Sequence, residues 1–367
     1  MKRTIAAIAL SFSLAALSHA SAKPVVEVAF VLDTTGSMSG LIEGAKRKIW
    51  SIATSILDCS PDADIRMGIV AYRDIGDDYV TKVFPLTADI QDLYGDLLKL
   101  RAQGGGDWPE SVNEALETGV VKMQWTQGAG VTRLIFLVGD APPHMEYKQD
   151  TKYPDVVKMA LSRGITVNAV QAGNARDTER VWREIAQLGK GDYIPIPQDG
   201  GQVLIIETPF DSDIIELQKR INHTVIPYGT RHTQDRVQQK AAMLAAAPSY
   251  TGSDMASYVN RSSSNVAGSQ AITGEGDLVA DVANGRQKLD ALKDDELPEN
   301  VRKLDKQERQ ALVDRQLAER KTLNEKLSVL VKQRDAYFMT ERQKKPARAG
   351  DSFDRAVEAT VQKQIKK

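Results

Sequence analysis

Cysteine is almost absent from this sequence: Cys59 is the single example among 367 residues. One thiol excludes an intrachain disulfide framework and zinc sites built from several cysteines. An excess of charge of one sign is also lacking, since 48 lysines and arginines oppose 49 aspartates and glutamates. Chains that bind nucleic acid or anionic membranes are normally basic, so we expect no nucleic-acid partner.

Long apolar runs are rare as well, and the clearest lies at residues 5–17, after Lys2 and Arg3. Small residues follow it, ending in Ala20-Ser21-Ala22, a pattern that predicts a secretory signal peptide over residues 1–22. An uncleaved membrane anchor is the alternative, but the run is short for a span of roughly 20 residues. We expect no transmembrane segment in the mature chain. We expect an exported protein, periplasmic or secreted, and the alanine-rich apolar run favours a bacterial origin.

Signatures of common enzyme sites are missing too. No Gly-x-Ser-x-Gly elbow surrounds Ser37 or Ser39, which argues against an esterase-type nucleophile. The glycines at 104–106 lack the Lys and Ser or Thr of a phosphate-binding loop, and no His-Glu-x-x-His pair occurs. We therefore expect a binding protein and not an enzyme. A metal-assisted hydrolase stays open as an alternative, because a bound cation polarises a substrate.

Apolar runs alternate with helix-period segments from residue 25 to about residue 206. This alternation predicts an α/β fold with a doubly wound, mostly parallel sheet and helices on both faces. The strands at 66–72 and 79–84 are only six residues apart, so we expect a hairpin that gives the sheet one antiparallel edge strand. An α-helical C-terminal region should follow.

Composition divides the remainder of the chain. After a first domain at 23–208, we expect a helical extension at 209–247, a flexible Ser/Gly-rich linker at 248–276 and a charged helical region at 277–367. Arg320 and Arg334 interrupt the apolar stripe of the last region, which argues against a long coiled coil. We expect these helices to dock a partner or to pack back on the domain, with frayed residues from 344 onward.

Acidic and hydroxyl side chains gather in three loops, at 33–39, 104–110 and 139–140. If the sheet is parallel, these loops lie at the carboxyl edge of the strands, where open sheets bind ligands. Asp33, Thr35 and Ser37 alternate along one turn and could bring three oxygen donors together. Hard oxygen donors suit Mg²⁺, Mn²⁺ or Ca²⁺.

This pattern resembles the von Willebrand factor A domain with a metal-ion-dependent adhesion site. Asp33-x-Thr35-x-Ser37 matches the family's Asp-x-Ser-x-Ser, with Thr for the first Ser, and Asp140 matches its distal Asp. The resemblance covers residues 25–206, half of the chain. With the signal peptide, it implies a bacterial exported member of this family. It also implies Mg²⁺ or Mn²⁺ at the adhesion site.

The second loop departs from the commonest family pattern, which supplies a Thr. Asp107-x-Pro109-Glu110 instead resembles the integrin β-subunit version of the domain, in which the Glu binds the adhesion-site metal. That resemblance assigns Asp33, Thr35, Ser37, Glu110 and Asp140 to one metal. It assigns Asp74, Asp107 and Glu110 to a possible second, adjacent site that is similar to a Ca²⁺ site.

Structural alternatives are open for several of these residues. Asp107 and Glu110 also fit a capping box at a helix start. Asp74 fits a solvated hairpin, and His144 fits a surface loop. Trp108 fits either the rim of the site or the core.

The resemblance implies binding of a protein partner that presents an acidic residue. Two hydroxyls, one carboxylate and waters leave an open position on an octahedral cation, and a partner carboxylate completes the shell. The rim would come from residues 74–79, Trp108 and residues 142–147. A metal-stabilised structural scaffold is the alternative among non-enzymes.

Overall fold

The computed structural model describes residues 23–201, 206–263, 270–344 and 352–365. The predicted signal peptide therefore lies outside the described residues. The structure contains one mixed sheet and twelve α-helices within these ranges. The strands are β1 Val25–Asp33, β2 Asp64–Tyr72, β3 Thr81–Thr87, β4 Val131–Gly139, β5 Ile165–Ala172 and β6 Lys190–Ile196.

The helices fall into two sequence blocks and a last, separate helix. The first block is α1 Ser39–Cys59, α2 Ile90–Lys99, α3 Val112–Val121, α4 Tyr153–Ser162 and α5 Arg176–Leu188. The second block is α6 Asp211–His223, α7 Arg231–Ala246, α8 Ser249–Ser263, α9 Leu278–Ala283, α10 Glu299–Arg302 and α11 Lys306–Lys344. The last helix is α12 Phe353–Ile365.

The sheet has the order β3-β2-β1-β4-β5-β6. β3 pairs antiparallel with β2 at one edge, and the other strand pairs are parallel. The predicted fold class is therefore confirmed. β1 lies between β2 and β4. The chain continues from β1 to β2 on one side and reaches β4 on the other side only later, so the loops that follow these strands meet at a topological switch point.

Helices cover both faces of the sheet because its central strands are apolar on both sides. One face packs against α1, α2, α8 and α12. The other face packs against α3, α4 and α5. The ends of β1 and β4 are buried between the two clusters, which gives the loops that follow them a rigid base.

Part of the expected linker is an ordered helix. Ser249–Ser263 forms α8, and its Met255, Tyr258 and Val259 are buried in the core. The ring of Tyr258 lies 5.4 Å from the ring of Trp50 in α1. The prediction of a flexible linker is wrong for this stretch. Apolar residues at helical spacing outweigh the serines, whose hydroxyls bond to helix carbonyls, as Ser257 does to Ser253.

The end of the chain is also ordered, where the sequence suggested fraying. Phe353, Val357 and Val361 of α12 are buried against the sheet. The side-chain amide of Gln364 bonds to the side-chain amide of Asn168 in β5. The prediction of frayed residues is wrong for Phe353–Ile365, because an apolar face of this helix completes the core.

The long helix α11 packs back against α6, α8 and α9. Arg320 is fully buried and pairs with Asp277 at 2.6 Å. Arg334 pairs with Asp211 at 2.8 Å and with Asp254 at 2.7 Å. The two arginines that break the apolar stripe therefore lie in the packed interface. Within the described ranges, no helix combines the length and apolar character needed to cross a membrane.

Candidate metal centre

The loop after β1 brings three of the predicted ligands together. Asp33 is fully buried, and its Oδ1 accepts hydrogen bonds from the backbone N–H and the hydroxyl of Thr35, at 2.8 and 2.7 Å. The hydroxyl oxygens of Thr35 and Ser37 lie 3.4 Å apart, and Ser37 is exposed to solvent. The other carboxylate oxygen of Asp33, Oδ2, is buried and has no hydrogen-bond partner among the described residues.

Glu110 approaches the same place from the second loop. Its backbone N–H donates to the carbonyl of Pro142 at 3.0 Å, and its carbonyl accepts from the N–H of His144 at 3.2 Å. These two bonds join the second loop to the loop after β4. Glu110 is buried, and within the described ranges its Oε2 also lacks a hydrogen-bond partner.

A glycine permits the close approach of the first two loops. Gly105 has a φ of +82°, and a Cβ there would lie 3.1 Å from Oε1 of Glu110 and 3.2 Å from Cβ of Thr35. Its backbone therefore passes between side chains of the two loops. Any other residue would be strained in this conformation and would crowd both neighbours.

Asp140 lies at the end of β4 and is buried. Its carbonyl accepts a hydrogen bond from the hydroxyl of Thr178 at 2.9 Å. Its Oδ2 accepts a hydrogen bond from the side-chain amide of Gln198 at 2.6 Å. Gln198 follows β6 and belongs to no recognisable motif, so sequence reasoning missed it; only the position after a strand end could have marked it.

Burial and mutual repulsion disturb the titration of these carboxyls. Burial raises the pKa of Asp33 to about 7, and repulsion from the nearby Asp140 acts in the same direction. The hydrogen bonds from Thr35 lower this pKa but do not offset the effect of burial. Burial also raises the pKa of Glu110 to about 9, assisted by repulsion from Asp33 and Asp74. Both carboxyls are thus costly to ionise where they stand, and a bound cation would remove that cost.

A second group of possible ligands lies beside the first. Asp74, Asp107 and His144 each offer one ligand atom, and these atoms lie within 4.8 Å of one another. Asp74 and His144 are buried, whereas the side chain of Asp107 is 62% exposed. The alternatives that place Asp74 in a solvated hairpin and His144 in a surface loop are therefore wrong.

Burial lowers the pKa of His144, but its hydrogen bond with Glu146 and the charges of Asp74, Glu146 and Asp107 outweigh that effect. The net result is a raised pKa. Its place shortly after Asp140 put His144 in the predicted rim, but no feature of the sequence placed it beside Asp74 and Asp107.

The capping alternative for the second loop is also wrong. Helix α3 begins at Val112, its N-cap residue is Ser111, and no side chain caps it. Asp107 and Glu110 thus do not form a capping box. Trp108 is 47% exposed, and its indole N–H donates to Asp177 at 2.7 Å, so it lies on the rim and not in the core.

Residues 27–207 match the family model of the von Willebrand factor A domain. This chain contains a von Willebrand factor A domain. Such domains typically bind proteins and are usually non-catalytic. The five residues predicted for one metal all belong to this domain. That they bind a cation stays a prediction.

Two curated relatives match about a third of this chain. A stretch of 122 residues is 32% identical to an ariadne-like RING finger protein of Acanthamoeba polyphaga mimivirus, covering 33% of this chain and 11% of the relative. A stretch of equal length is 28% identical to an alpha-protein kinase of Dictyostelium discoideum, covering 32% of this chain and 19% of the kinase. The chain thus spans a small fraction of these two relatives.

Among solved structures, the VWA domain of SpRpn10 aligns with 48% of this chain and 89% of its own chain. Its sequence identity is 11% and its TM-score is 0.37.

Proposed function

We propose that this von Willebrand factor A domain binds a protein partner through a divalent cation, Mg²⁺ or Mn²⁺, at an adhesion-type site. When bound, the cation supplies a coordination position that an acidic side chain of the partner completes. The residues proposed to hold it are Asp33, Thr35, Ser37, Glu110 and Asp140.

One observation carries this proposal: Oδ2 of Asp33 and Oε2 of Glu110 are both buried and find no hydrogen-bond partner in the part of the chain that the structure describes. Buried polar atoms are nearly always satisfied, and a buried carboxylate without a partner is especially costly. The hydroxyl of Thr35 bonds to the other carboxylate oxygen of Asp33, and the hydroxyl of Ser37 lies 3.4 Å from that of Thr35. The whole set consists of the hard oxygen donors that Mg²⁺ and Mn²⁺ prefer.

The surroundings of the site suit a partner side chain. Ser37 is solvent-exposed and Asp33 is buried, so the site opens outward from a rigid floor. Trp108 and Met145, exposed at 47% and 46%, offer apolar contacts beside the charged centre. Apolar contacts around a charge-assisted bond exclude water and strengthen it.

The test uses displayed random peptides selected on the full mature chain in Mg²⁺ and eluted with EDTA. We expect the eluted peptides to contain a Glu or Asp whose change to Gln or Asn abolishes binding. Asp33→Ala should abolish capture, whereas Asp290→Ala should retain it, because the side chain of Asp290 is 81% exposed and outside both the ligand set and the rim. Capture that survives both EDTA and Asp33→Ala in folded protein contradicts the proposal.

A metal-stabilised scaffold is the second candidate, favoured by the depth at which Asp33 and Glu110 are buried. Like an adhesion-type site, a scaffold would be stabilised by metal, but it would not select acidic peptides. A melting temperature raised by Mg²⁺, together with no enriched acidic peptide, would favour the scaffold.

We further propose that the chain is exported to the periplasm or secreted after cleavage behind Ala22. The support is the pattern of residues 1–22 alone. Expression of the full chain in a bacterium with two membranes, followed by fractionation and mass determination, tests it. A mature protein that begins at Lys23 in the periplasm or medium is expected, and an uncleaved chain in the cytoplasm contradicts it.

A further inference from the structure

We propose that Asp74, Asp107 and His144 form a second metal site that takes a first-row transition metal such as Zn²⁺ or Co²⁺. It is separate from the adhesion-type site and does not depend on the function proposed for it. The resemblance to integrin β domains implied a Ca²⁺ site with Glu110 as a ligand. The structure instead places a histidine nitrogen beside the two aspartates.

The geometry of the group points to a ligand set. Nε2 of His144 lies 3.3 Å from Oδ2 of Asp74 and 3.6 Å from Oδ1 of Asp107. His144 is 3% exposed, and its Nε2 makes no hydrogen bond to any of the described residues. A buried imidazole nitrogen that faces two carboxylates and bonds to neither has the position of a metal ligand.

The other contacts of the histidine fix its orientation. Its Nδ1 bonds to the carboxylate of Glu146, which leaves Nε2 free to act as the ligand atom. A carboxylate on the far nitrogen is the usual outer partner of a metal-bound histidine. The imidazole ring also stacks on Tyr147, with centroids 4.1 Å apart and planes 8° apart.

Asp74 is held as firmly as the histidine. Its Oδ1 accepts a hydrogen bond from the hydroxyl of Ser111 at 2.7 Å, and its Oδ2 accepts one from Tyr147 at 2.9 Å. Tyr147 therefore supports two of the three ligands. Such support from outside the ligand set preorganises a metal site before the ion arrives.

The ligand types select the class of metal. Ca²⁺ and Mg²⁺ take oxygen ligands, whereas imidazole suits Zn²⁺ and its first-row neighbours. Asp107 is exposed on the solvent side, so an ion can enter without unfolding, and waters can fill its remaining positions.

The backbone connects this site to the first one. The N–H of His144 donates to the carbonyl of Glu110, at 3.2 Å, and Asp107 precedes Glu110 in the same loop. A metal at the second site would thus hold the loop that carries Glu110. A protonated His144 paired with both aspartates explains the same distances without metal, and the experiment separates the two explanations.

The experiment is a Co²⁺ titration of the untagged full mature chain after EDTA treatment and desalting, followed by visible absorption. We expect one site with ligand-field bands. His144→Gln should weaken Co²⁺ binding at least about tenfold, whereas His232→Gln, at an exposed position in α7, should leave it unchanged.

Asp107→Asn provides a second variant, because a side chain that is 62% exposed contributes little to folding. It should also weaken Co²⁺ binding, whereas Asp290→Asn, at an exposed position outside both sites, should leave it unchanged. Asp33→Ala should keep the Co²⁺ bands, so failure of the adhesion-type site is distinguishable from failure of this one. No Co²⁺ binding, binding unaffected by both His144→Gln and Asp107→Asn, or ready displacement by millimolar Ca²⁺ would overturn the proposal.

Discussion

The ring of Phe353 in α12 lies edge-on to the ring of Phe30 in β1, with centroids 6.0 Å apart and planes at 63°. The last helix of the chain therefore packs against its first strand. The family match ends at residue 207, yet the core of this domain includes α12. Helices α6 to α11 lie between β6 and α12 in the sequence, so the core of the domain includes a helix that is distant in sequence from its strands.

The first prediction follows from this contact. Phe353→Ala should lower the free energy of unfolding by about 3–5 kcal/mol, because it removes a buried ring and leaves a cavity. Urea denaturation of a protein comprising residues 23–367 measures this. Met339→Ala is the control, since Met339 in α11 is 68% exposed and its truncation should cost less than about 0.5 kcal/mol. Equal losses for both variants would contradict the role of α12.

The second prediction concerns the charge of Asp33. In EDTA at pH 8, Asp33→Asn should raise the free energy of unfolding by up to roughly 4 kcal/mol, because it removes a buried carboxylate whose pKa stands at about 7 against the usual 3.8,. The same variant should lose the stabilisation by Mg²⁺, which for the native chain is about 2.7 kcal/mol at one hundred times Kd.

Thermal and urea unfolding with and without Mg²⁺ check both halves of that prediction. Asp78→Asn should behave as the native chain, since Asp78 is exposed. An Asp33→Asn protein that Mg²⁺ stabilises as well as it stabilises the native chain would remove Asp33 from the site.

The third prediction is a pH dependence of the metal-free protein. Between pH 4 and pH 7 the folded state keeps a proton on Asp33 that the unfolded state has lost. Stability contributed by this group should therefore fall as pH rises through that window. Glu110, with a pKa of about 9, should extend the fall toward pH 9.

The measurement compares the native chain with Asp33→Asn in EDTA across this pH range, because the difference isolates Asp33 from other groups. The native chain should lose more stability than the variant between pH 4 and pH 7. Parallel curves would show that the Asp33 carboxyl titrates normally.

The fourth prediction concerns the buried pair Arg320–Asp277, whose side-chain atoms approach to 2.6 Å. Arg320→Met should cost about 3–5 kcal/mol, since it leaves Asp277 buried without its partner. The double change with Asp277→Leu should cost much less than the sum of the single changes. A double-mutant cycle by urea denaturation measures this coupling, with the exposed pair Lys303–Glu299 as a control expected near 0–1 kcal/mol.

Local sequence patterns were sufficient to predict the sheet. The apolar strands, the hairpin spacing and the helix-period segments predicted the fold class, since burial on both faces of a parallel sheet leaves a strong mark on sequence. The acidic loops were predicted from their positions at strand ends. The pairing of Thr35 with Asp33 also follows from local spacing, because the two residues are neighbours in one turn.

Local sequence patterns did not predict the packing between distant segments. The serines of α8 and the charges of α11 suggested solvent, but Tyr258 meets Trp50, and Arg320 meets Asp277, only after folding. His144 looked like a loop residue because nothing near it in sequence identifies Asp74 and Asp107 as its neighbours. These contacts join residues that are far apart along the chain, and the composition of a segment does not predict them.

The sequence by itself determined a von Willebrand factor A type of sheet, the three acidic loops at its carboxyl edge and a fold without disulfide support. The tertiary structure alone decided which acids are buried, that His144 joins Asp74 and Asp107, and that the C-terminal helix closes the first domain. The physical reason is the distance along the chain over which each effect acts. Periodicity and strand ends act over a few residues, whereas desolvation and ion pairing depend on distant segments that meet only in the folded chain.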